Sequence, residues 1–290
     1  MKPAPFDYYA PTSVEEALAT LQNLGYDGKV LAGGQSLIPA MNFRMARPAA
    51  LVDLNKVKEL FYIKPTDDGG LAIGTMTRDS LVEKDPLVAE RFPIVPFVVK
   101  HIAHPQIRNR GTFGGAIAHA DPAAQIPALS VALKARFLVR KQGGERWVNA
   151  EDFFMGPFMT VLAPEEMLAE VVLPPMAKGS GASYQQVSRQ KGGYAQAAVI
   201  SVVVVDENKR CKDARVVLFS VGETPILSQA ASKILVGNVP TAEAIAEVAE
   251  KISKDEVDPG TDIHGTAEYR RHLVKVLVRR GLTEAFERAK

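Results

Sequence analysis

The chain has a single cysteine, Cys211, among its 290 residues. One thiol can make neither an internal disulfide nor the four-thiolate shell of an iron–sulfur cluster, so any such cluster must be bound by another chain. We expect Cys211 to be a quiet structural thiol at the end of a strand, since unpaired cysteines are usually buried as small apolar groups.

The sequence also lacks a long apolar run and a block of like charge. No segment approaches the roughly 20 apolar residues that a membrane-spanning helix needs, and the N-terminus from Met1 to Asp7 has no apolar signal-peptide core. The 35 basic and 33 acidic residues are scattered, which leaves no basic block to neutralise a run of phosphates. We therefore expect a cytoplasmic protein with no membrane span and no nucleic-acid partner.

The composition is that of a soluble globular protein, with 47% hydrophobic and 23% charged residues. A chain of 290 residues is long enough for two domains. The run from Pro174 to Gly181 is rich in proline and glycine, which favours a boundary there. We predict one domain over residues 1–177 and a second over residues 178–290.

The first of these regions alternates helical and strand patterns. Ser13 to Leu24 has apolar residues at helical spacing, with Ser13 and Glu16 in a capping-box pattern and Gly25 as the stop. Asp121 followed by Pro122 predicts the start of a buried helix. The remaining predicted elements are a helix over Ala123–Leu133, strands over Lys29–Ala32, Leu51–Leu54 and Met167–Leu173, and hairpins over Phe61–Gly74 and Phe137–Val148.

The second region has strands first and helices afterwards, which is typical of an α+β domain. Its strand patterns predict a three-stranded antiparallel sheet, and the rest is helical in pattern. The strands are Ser183–Ser188, Ala197–Val205 and Ala214–Val221, and the helices are Ile226–Leu235, Thr241–Ile252 and Ala267–Ala289.

Two glycine-pair loops carry the chemical signal: Ala32-Gly33-Gly34-Gln35-Ser36 and Gly111-Thr112-Phe113-Gly114-Gly115. Glycine lets the backbone approach phosphate oxygens closely and present its N–H groups to them. Neither loop fits the dinucleotide pattern G-x-G-x-x-G, and the lysine of a P-loop is missing. The two loops therefore predict a phosphate cradle of another kind.

With its surroundings, this pair of loops resembles the FAD-binding medium subunit of the molybdenum hydroxylases, the xanthine dehydrogenase and carbon monoxide dehydrogenase family. The similarity runs nearly end to end. It rests on Phe6-Asp7-Tyr8, Leu31 to Pro39, Leu51 to Leu54, Gln106 to Gly115, His119 to Ala124 and Glu268 to His272. It implies a two-subdomain FAD-binding domain of the PCMH type, like that of vanillyl-alcohol oxidase, followed by a C-terminal domain like that of carbon monoxide dehydrogenase flavoproteins.

The resemblance also implies which residues contact FAD. The two phosphate loops would contribute Ala32, Gly33, Gly34, Gln35, Ser36, Gly111, Thr112, Gly114 and Gly115. Near the flavin ring it implies Leu37, Ile102, the backbone of Leu168 and Ala169, and Tyr194 over one face. Ala116 and Gln125 complete the set, where the family often has asparagine and an acidic residue, and Gln185 stands near a family lysine.

No catalytic side chain and no metal ligand is expected in this chain. His101 and His104 form an H-x-x-H pair, but no third ligand accompanies them at a recognised spacing. Arg108 and Arg110 are open to two interpretations, neutralising the diphosphate or forming structural salt bridges. The segment from Glu268 to His272 is expected to pack domains or subunits and not to contact the flavin.

The function implied by the resemblance is electron transfer within a complex. A large subunit with a molybdenum cofactor would hydroxylate the substrate, a small subunit with two [2Fe-2S] clusters would relay electrons, and FAD on this chain would pass them to an external acceptor. A dimer of heterotrimers is the expected assembly. Two alternatives remain open: a stand-alone flavin oxidase of the same superfamily, and a flavin-free assembly protein.

The substrate would bind to another chain, so the sequence leaves carbon monoxide, an N-heterocycle and an aromatic thioester open. Family members that act on carbon monoxide tend to have histidine where this chain has Gln35. The resemblance therefore favours an organic substrate such as an N-heterocycle.

Overall fold

A computed structural model describes all 290 residues, and its first elements form a small three-stranded sheet covered by a helix. The sheet is parallel, with β3 between β1 and β2. In chain order the elements are β1 (Asp7–Tyr9), α1 (Val14–Leu24), β2 (Gly28–Leu31), α2 (Leu37–Asn42) and β3 (Ala50–Asp53).

Helix α1 confirms the predicted cap at Ser13. The Ser13 hydroxyl accepts from the Glu16 N–H at 3.1 Å, and Gly25 ends the helix with a φ of 52°. The Glu16 carboxylate accepts from the Thr12 N–H at 2.7 Å, one residue earlier than a capping box requires. The apolar face of the helix packs on β3, as its spacing predicted.

The middle of the chain forms a five-stranded antiparallel sheet surrounded by short helices. The strand order is β4-β5-β10-β6-β7, and both predicted hairpins are confirmed. The elements are β4 (Ile63–Pro65), β5 (Leu71–Gly74), α3 (Asp79–Lys84), α4 (Pro86–Arg91), α5 (Ile94–Val99), α6 (Pro105–Arg108), α7 (Phe113–His119), α8 (Gln125–Ala132), β6 (Arg136–Lys141), β7 (Gly144–Asn149), β8 (Phe154–Gly156), β9 (Met159–Thr160) and β10 (Met167–Leu173).

Helix α8 begins later than the sequence predicted. All eight of its residues are buried, which confirms a buried helix, but its N-cap is Ala124 and not Asp121. The Asp121 carboxylate instead accepts from the Ala123 N–H at 2.8 Å and closes a turn before the helix. The prediction that Asp121 caps the helix is therefore wrong.

The last part of the chain is a four-stranded antiparallel sheet with helices on one side. The three predicted strands are confirmed, and a short fourth strand replaces the first turn of the predicted helix from Ile226. The elements are β11 (Ser180–Ser188), β12 (Ala195–Val205), β13 (Cys211–Phe219), β14 (Ile226–Leu227), α9 (Gln229–Leu235), α10 (Ala242–Lys251) and α11 (Ala267–Arg288).

Strand β12 shows how this sheet is held in place. Ala198, Ile200 and Val202 point into the core shared with α5 and α8, while Val199 and Val203 point toward α9, α10 and α11. A strand buried on both faces reads as a continuous apolar run, as this one does. The larger core therefore crosses residue 177, and the division of the chain at that residue stays a prediction.

Helices and sheets are mixed as the α+β expectation requires. Cys211 is buried at the start of β13, as predicted. None of the helices combines the length and hydrophobicity needed to span a membrane.

Candidate functional site

The two glycine loops lie against each other. The first connects β2 to α2, and the second runs from the end of α6 into the first turn of α7, which begins at Phe113. A Cβ added to Gly33 would collide with the Arg110 carbonyl and lie 2.8 Å from the Cα of Gly111. A Cβ on Gly115 would lie 2.5 Å from the Thr112 hydroxyl oxygen and 3.3 Å from the Cβ of Ala32. Glycine at both positions is therefore what permits the contact between the loops.

The first loop presents backbone donors without protein partners. The N–H groups of the five residues from Gly33 to Leu37 donate to no backbone or side-chain acceptor. Gly34 adopts a φ of 73°, which favours glycine. A cleft of about 310 Å³ opens over this loop, lined by its residues together with Asp53, Asn55 and Arg110. Consecutive free N–H groups beside a cleft are suited to binding an anion.

The second loop uses most of its donors internally. The Gly114 N–H donates to the Thr75 carbonyl at 3.0 Å, and the Gly115 N–H donates to the Thr112 hydroxyl at 3.1 Å. The N–H groups of Gly111 and Phe113 are also paired with carbonyls. Only the Thr112 N–H lacks a protein acceptor in this loop.

Two side chains that the sequence did not single out connect the loops. The Arg78 guanidinium donates to the Arg110 carbonyl and to the Asn55 amide oxygen, each at 2.6 Å. The Asn55 amide donates to the Ala32 carbonyl at 2.9 Å. Asn55 was detectable in principle, because it follows β3 at the carboxyl edge where β2 also ends, whereas no local pattern marks Arg78.

A buried carboxyl lies behind the second loop. Asp79 is 3% exposed, its Oδ1 has no hydrogen-bond partner, and its Oδ2 is close to Gly111. Burial raises the pKa of Asp79 to about 7, although Arg108 and Arg78 act in the opposite direction. Asp79 is the first residue of α3, and Arg78 occupies the N-cap position.

The two arginines left open by the sequence have different roles in the structure. Arg108 is buried and forms an ion pair with Glu83 at 2.7 Å, and it also donates to the Ile102 carbonyl at 2.8 Å. Arg110 is exposed and lines the cleft. Arg108 is thus a structural residue, and Arg110 is the cation available to a ligand.

The structure connects Leu168 and Ala169 to the second loop through Thr75. The Thr75 N–H donates to the Ala169 carbonyl at 3.3 Å, and the Thr75 carbonyl accepts from Gly114. Strand β10 has a register shift between Leu168 and Glu170. Such bulges redirect backbone groups, and here the Ala169 carbonyl points to Thr75 beside the second loop.

The loop that carries Tyr194 contacts Ala103, the residue that follows Ile102. Gly192 has a φ of 77°, and a Cβ there would collide with the Ala103 carbonyl. The Tyr194 side chain is 70% exposed. Partial desolvation and the nearby Asp121 raise its pKa.

The remaining predicted positions divide between two faces of the C-terminal sheet. Ala116 packs against the larger core, and Gln125 is buried at the start of α8. Gln185 lies on the opposite face, where its amide contacts the Glu284 carboxylate on α11. Of the H-x-x-H pair, His101 packs against Phe97 and Tyr184 with ring centroids 5.1 Å apart.

The two arginines of the Glu268–His272 segment donate hydrogen bonds to backbone carbonyl groups. Arg270 donates to Gln196 at 3.2 Å and Ser220 at 3.3 Å, and Arg271 donates to Val257 at 2.5 Å. The segment packs within the C-terminal region, in line with the structural role expected for it.

Comparison with known proteins assigns both parts of the chain. Residues 4–176 match the family described as the FAD binding domain in molybdopterin dehydrogenase. The chain belongs to the FAD-binding medium subunits of the molybdenum hydroxylases. Residues 182–285 match the C-terminal domain of carbon monoxide dehydrogenase flavoproteins. This FAD-binding subunit is therefore an oxidoreductase flavoprotein, and the expected two-part flavin fold is confirmed.

Individual relatives agree over the full length of the FAD-binding subunit. It is 39% identical to subunit alpha of the 6-hydroxypseudooxynicotine dehydrogenase complex of Paenarthrobacter nicotinovorans, covering 100% of this chain and 97% of that one. A carbon monoxide dehydrogenase from Hydrogenophaga pseudoflava superposes with a TM-score of 0.96 at 38% identity, covering 100% of both chains. Quinoline 2-oxidoreductase from Pseudomonas putida 86 gives 0.93 at 36% identity, covering 99% of both.

Proposed function

We propose that this chain binds FAD across its two glycine loops and serves as the electron-transfer subunit of a heteromeric molybdenum hydroxylase. The observation that carries the proposal is the row of five unpaired N–H groups from Gly33 to Leu37 beside the cleft. A diphosphate is the part of FAD that requires such donors. When bound, FAD supplies one- and two-electron redox chemistry.

Each of the two loops would contribute different groups to the diphosphate site. The first loop, from Ala32 to Ser36, donates its free N–H groups, and the Ser36 hydroxyl is unused by its helix. The second loop supplies the Thr112 N–H and a rigid surface from Gly111, Gly114 and Gly115. Arg110 adds one positive charge at the cleft, which favours an anion without making a strongly basic surface.

The flavin ring would lie next to the residues that the resemblance implies for it. Leu37, Ile102 and Ala116 offer partly buried apolar surface. The backbone of Leu168 and Ala169, at the register shift of β10, would meet the edge of the ring. The exposed ring of Tyr194 would cover one flavin face, which would give this aromatic group a stacking partner. Gln125 would lie further in, next to the core of the C-terminal sheet.

The other redox centres would belong to partner chains. Burial raises the pKa of Cys211 to about 11, which leaves this lone thiol protonated and unsuited to a cluster. We assign two [2Fe-2S] clusters to a small subunit and the molybdenum cofactor to a large subunit, in a dimer of heterotrimers. Electrons would pass from the clusters to FAD and on to an external acceptor.

An N-heterocycle is the substrate class that we propose for the large subunit. One similar structure is named for quinoline, although another is named for carbon monoxide. The presence of Gln35 in the first loop favours the organic substrate, by the family tendency noted above.

The loop assignment is tested with Gly33→Ala. The added methyl group would collide with Arg110 and separate the loops, so we expect a folded chain that no longer retains FAD. Gly181→Ala is a matched control, because its methyl group would collide with the Ala285 carbonyl far from the cleft. Flavin absorbance after purification and added FAD reads out both variants. Full flavin retention in Gly33→Ala would show that the diphosphate binds elsewhere.

The assembly is tested by purification of the native complex. We expect the chain to co-purify with a molybdenum-containing subunit and an iron-containing subunit, detected by metal analysis. An active lone chain that reduces its own FAD with a small substrate would instead identify a stand-alone flavin oxidase. A chain that binds no FAD after reconstitution would identify an assembly protein.

A further inference from the structure

We propose that Arg78 and Asn55 form one hydrogen-bonded link that fixes the spacing of the two glycine loops, making both residues positioning residues for FAD. The inference rests on the proposed FAD site and adds to it two residues outside the glycine loops.

The link runs without a gap from one loop to the other. The Ala32 carbonyl, at the start of the first loop, accepts from the Asn55 amide at 2.9 Å. The Asn55 amide oxygen accepts from Arg78 at 2.6 Å. A second guanidinium nitrogen of Arg78 donates to the carbonyl of Arg110 at 2.6 Å, immediately before the second loop. One planar group thus contacts both sides of the cleft.

Asn55 is itself held in one orientation. Its backbone N–H donates to Asp53 at 2.9 Å, and its side-chain amide nitrogen contacts the same carboxylate at 2.5 Å. The other Asp53 oxygen accepts from the Tyr8 hydroxyl at 2.6 Å. These contacts direct the amide nitrogen of Asn55 toward Ala32 and its oxygen toward Arg78, which the link requires.

The Arg78 guanidinium is held by neutral partners and by an aromatic ring. Its guanidinium forms no ion pair within 4.0 Å, and its acceptors are a neutral carbonyl and a neutral amide. The group also lies 5.5 Å from the centre of the Phe61 ring, which restricts its position. These contacts hold the guanidinium in place between the two loops, while Arg110 supplies the positive charge that lines the cleft.

The test measures FAD affinity of the full chain with Arg78→Lys and Asn55→Ala. An ammonium group keeps the charge but lacks the planar fork that reaches both acceptors, so we expect the dissociation constant to rise about tenfold for each variant. Fluorescence quenching of added FAD reads out affinity, and thermal unfolding of the apoprotein reads out stability.

Arg91→Lys is the matched control. Arg91 donates to the carbonyls of Gly69 and Gly70, each at 2.9 Å, in a turn that does not line the cleft. We expect this variant to lose comparable stability with unchanged FAD affinity. A general structural role for Arg78 would move stability in both variants and affinity in neither.

The double variant decides whether the two residues act as one link. If they do, Arg78→Lys combined with Asn55→Ala should weaken FAD binding about as much as either change alone. Additive losses, or unchanged affinity in both single variants, would overturn the proposal. If FAD is lost in Gly33→Ala but retained in Arg78→Lys, the link alone fails. Retention in Gly33→Ala contradicts the FAD site itself.

Discussion

The two glycine loops look alike in sequence but differ in how they use their hydrogen-bond donors. The first leaves the N–H groups from Gly33 to Leu37 free, while the second commits those of Gly114 and Gly115 to Thr75 and Thr112. Glycine serves close approach in both. In the first loop it admits the neighbouring loop, whereas in the second it admits a strand end and a helix cap.

This difference assigns ligand binding to the first loop and stabilisation of the fold to the second. A loop with free donors gains its partners only when a ligand arrives, so changes there should affect FAD affinity more than folding. A loop whose donors are satisfied within the chain contributes to folding directly. The comparison therefore predicts opposite patterns of stability and affinity for matched substitutions in the two loops.

The largest expected effect on stability is that of Gly114→Val. An added Cβ would lie 2.7 Å from the Cα of Thr75, in a fully packed position, so we expect a loss of about 3 kcal/mol in the free energy of unfolding. Urea unfolding of the apoprotein measures it. Its counterpart Gly34→Ala meets only side-chain ends and a positive φ, which should cost about 1 kcal/mol. Equal losses in the two variants would contradict the division of roles.

Asp79, which lies behind the second loop, should make the free energy of unfolding depend on pH. Its pKa is raised from 3.8 to about 7, so its stabilising contribution is complete below 3.8 and is lost as the pH rises through about 7. Asp79→Asn should remove on the order of 2 kcal/mol of this decline between about pH 5 and about pH 7. Urea unfolding across that range measures the difference.

Asp68→Asn provides the control for this pH dependence. The Asp68 carboxyl is exposed, and its hydrogen bond from Thr66 lowers its pKa, so it stays ionised throughout the same range. The pH profile of this variant should match that of the unchanged chain. An identical profile for Asp79→Asn would mean that Asp79 titrates outside this range.

Thr112→Val should have a smaller effect. It removes the hydroxyl that accepts from Gly115 at the start of α7, which typically costs about 1 kcal/mol. Guanidinium unfolding of the apoprotein is a suitable measurement. Unchanged stability would show that this cap does not support the second loop.

The smallest effect on stability is expected for Ser36→Ala, the corresponding change in the first loop. Ser36 precedes α2 but its exposed side chain makes no capping hydrogen bond, so less than about 0.5 kcal/mol should be lost. FAD affinity should fall several-fold if the hydroxyl contacts the cofactor. Titration with FAD measures the affinity, and urea unfolding measures the stability. A loss of stability with unchanged FAD affinity would contradict the division of roles between the two loops.

Local signals predicted much of the fold. The cap at Ser13 and the stop at Gly25 follow from interactions between residues close in the chain, and the apolar run in Ala197–Val205 marks a strand buried on both faces. The strand at Ile226–Leu227 was missed because it exists only by pairing with Val217 and Leu218. The cap at Asp121 was misplaced because that side chain closes a turn two residues before α8.

The sequence by itself determined that two glycine pairs, Gly33-Gly34 and Gly114-Gly115, would allow close backbone approach, since this follows from the missing Cβ. Only the tertiary structure decided which loop keeps its N–H donors free and which loop uses them in hydrogen bonds within the chain. Arg78 reaches Asn55 across 23 positions and Arg110 across 32. Such partners are set by how the sheets pack, and no local pattern encodes that distance.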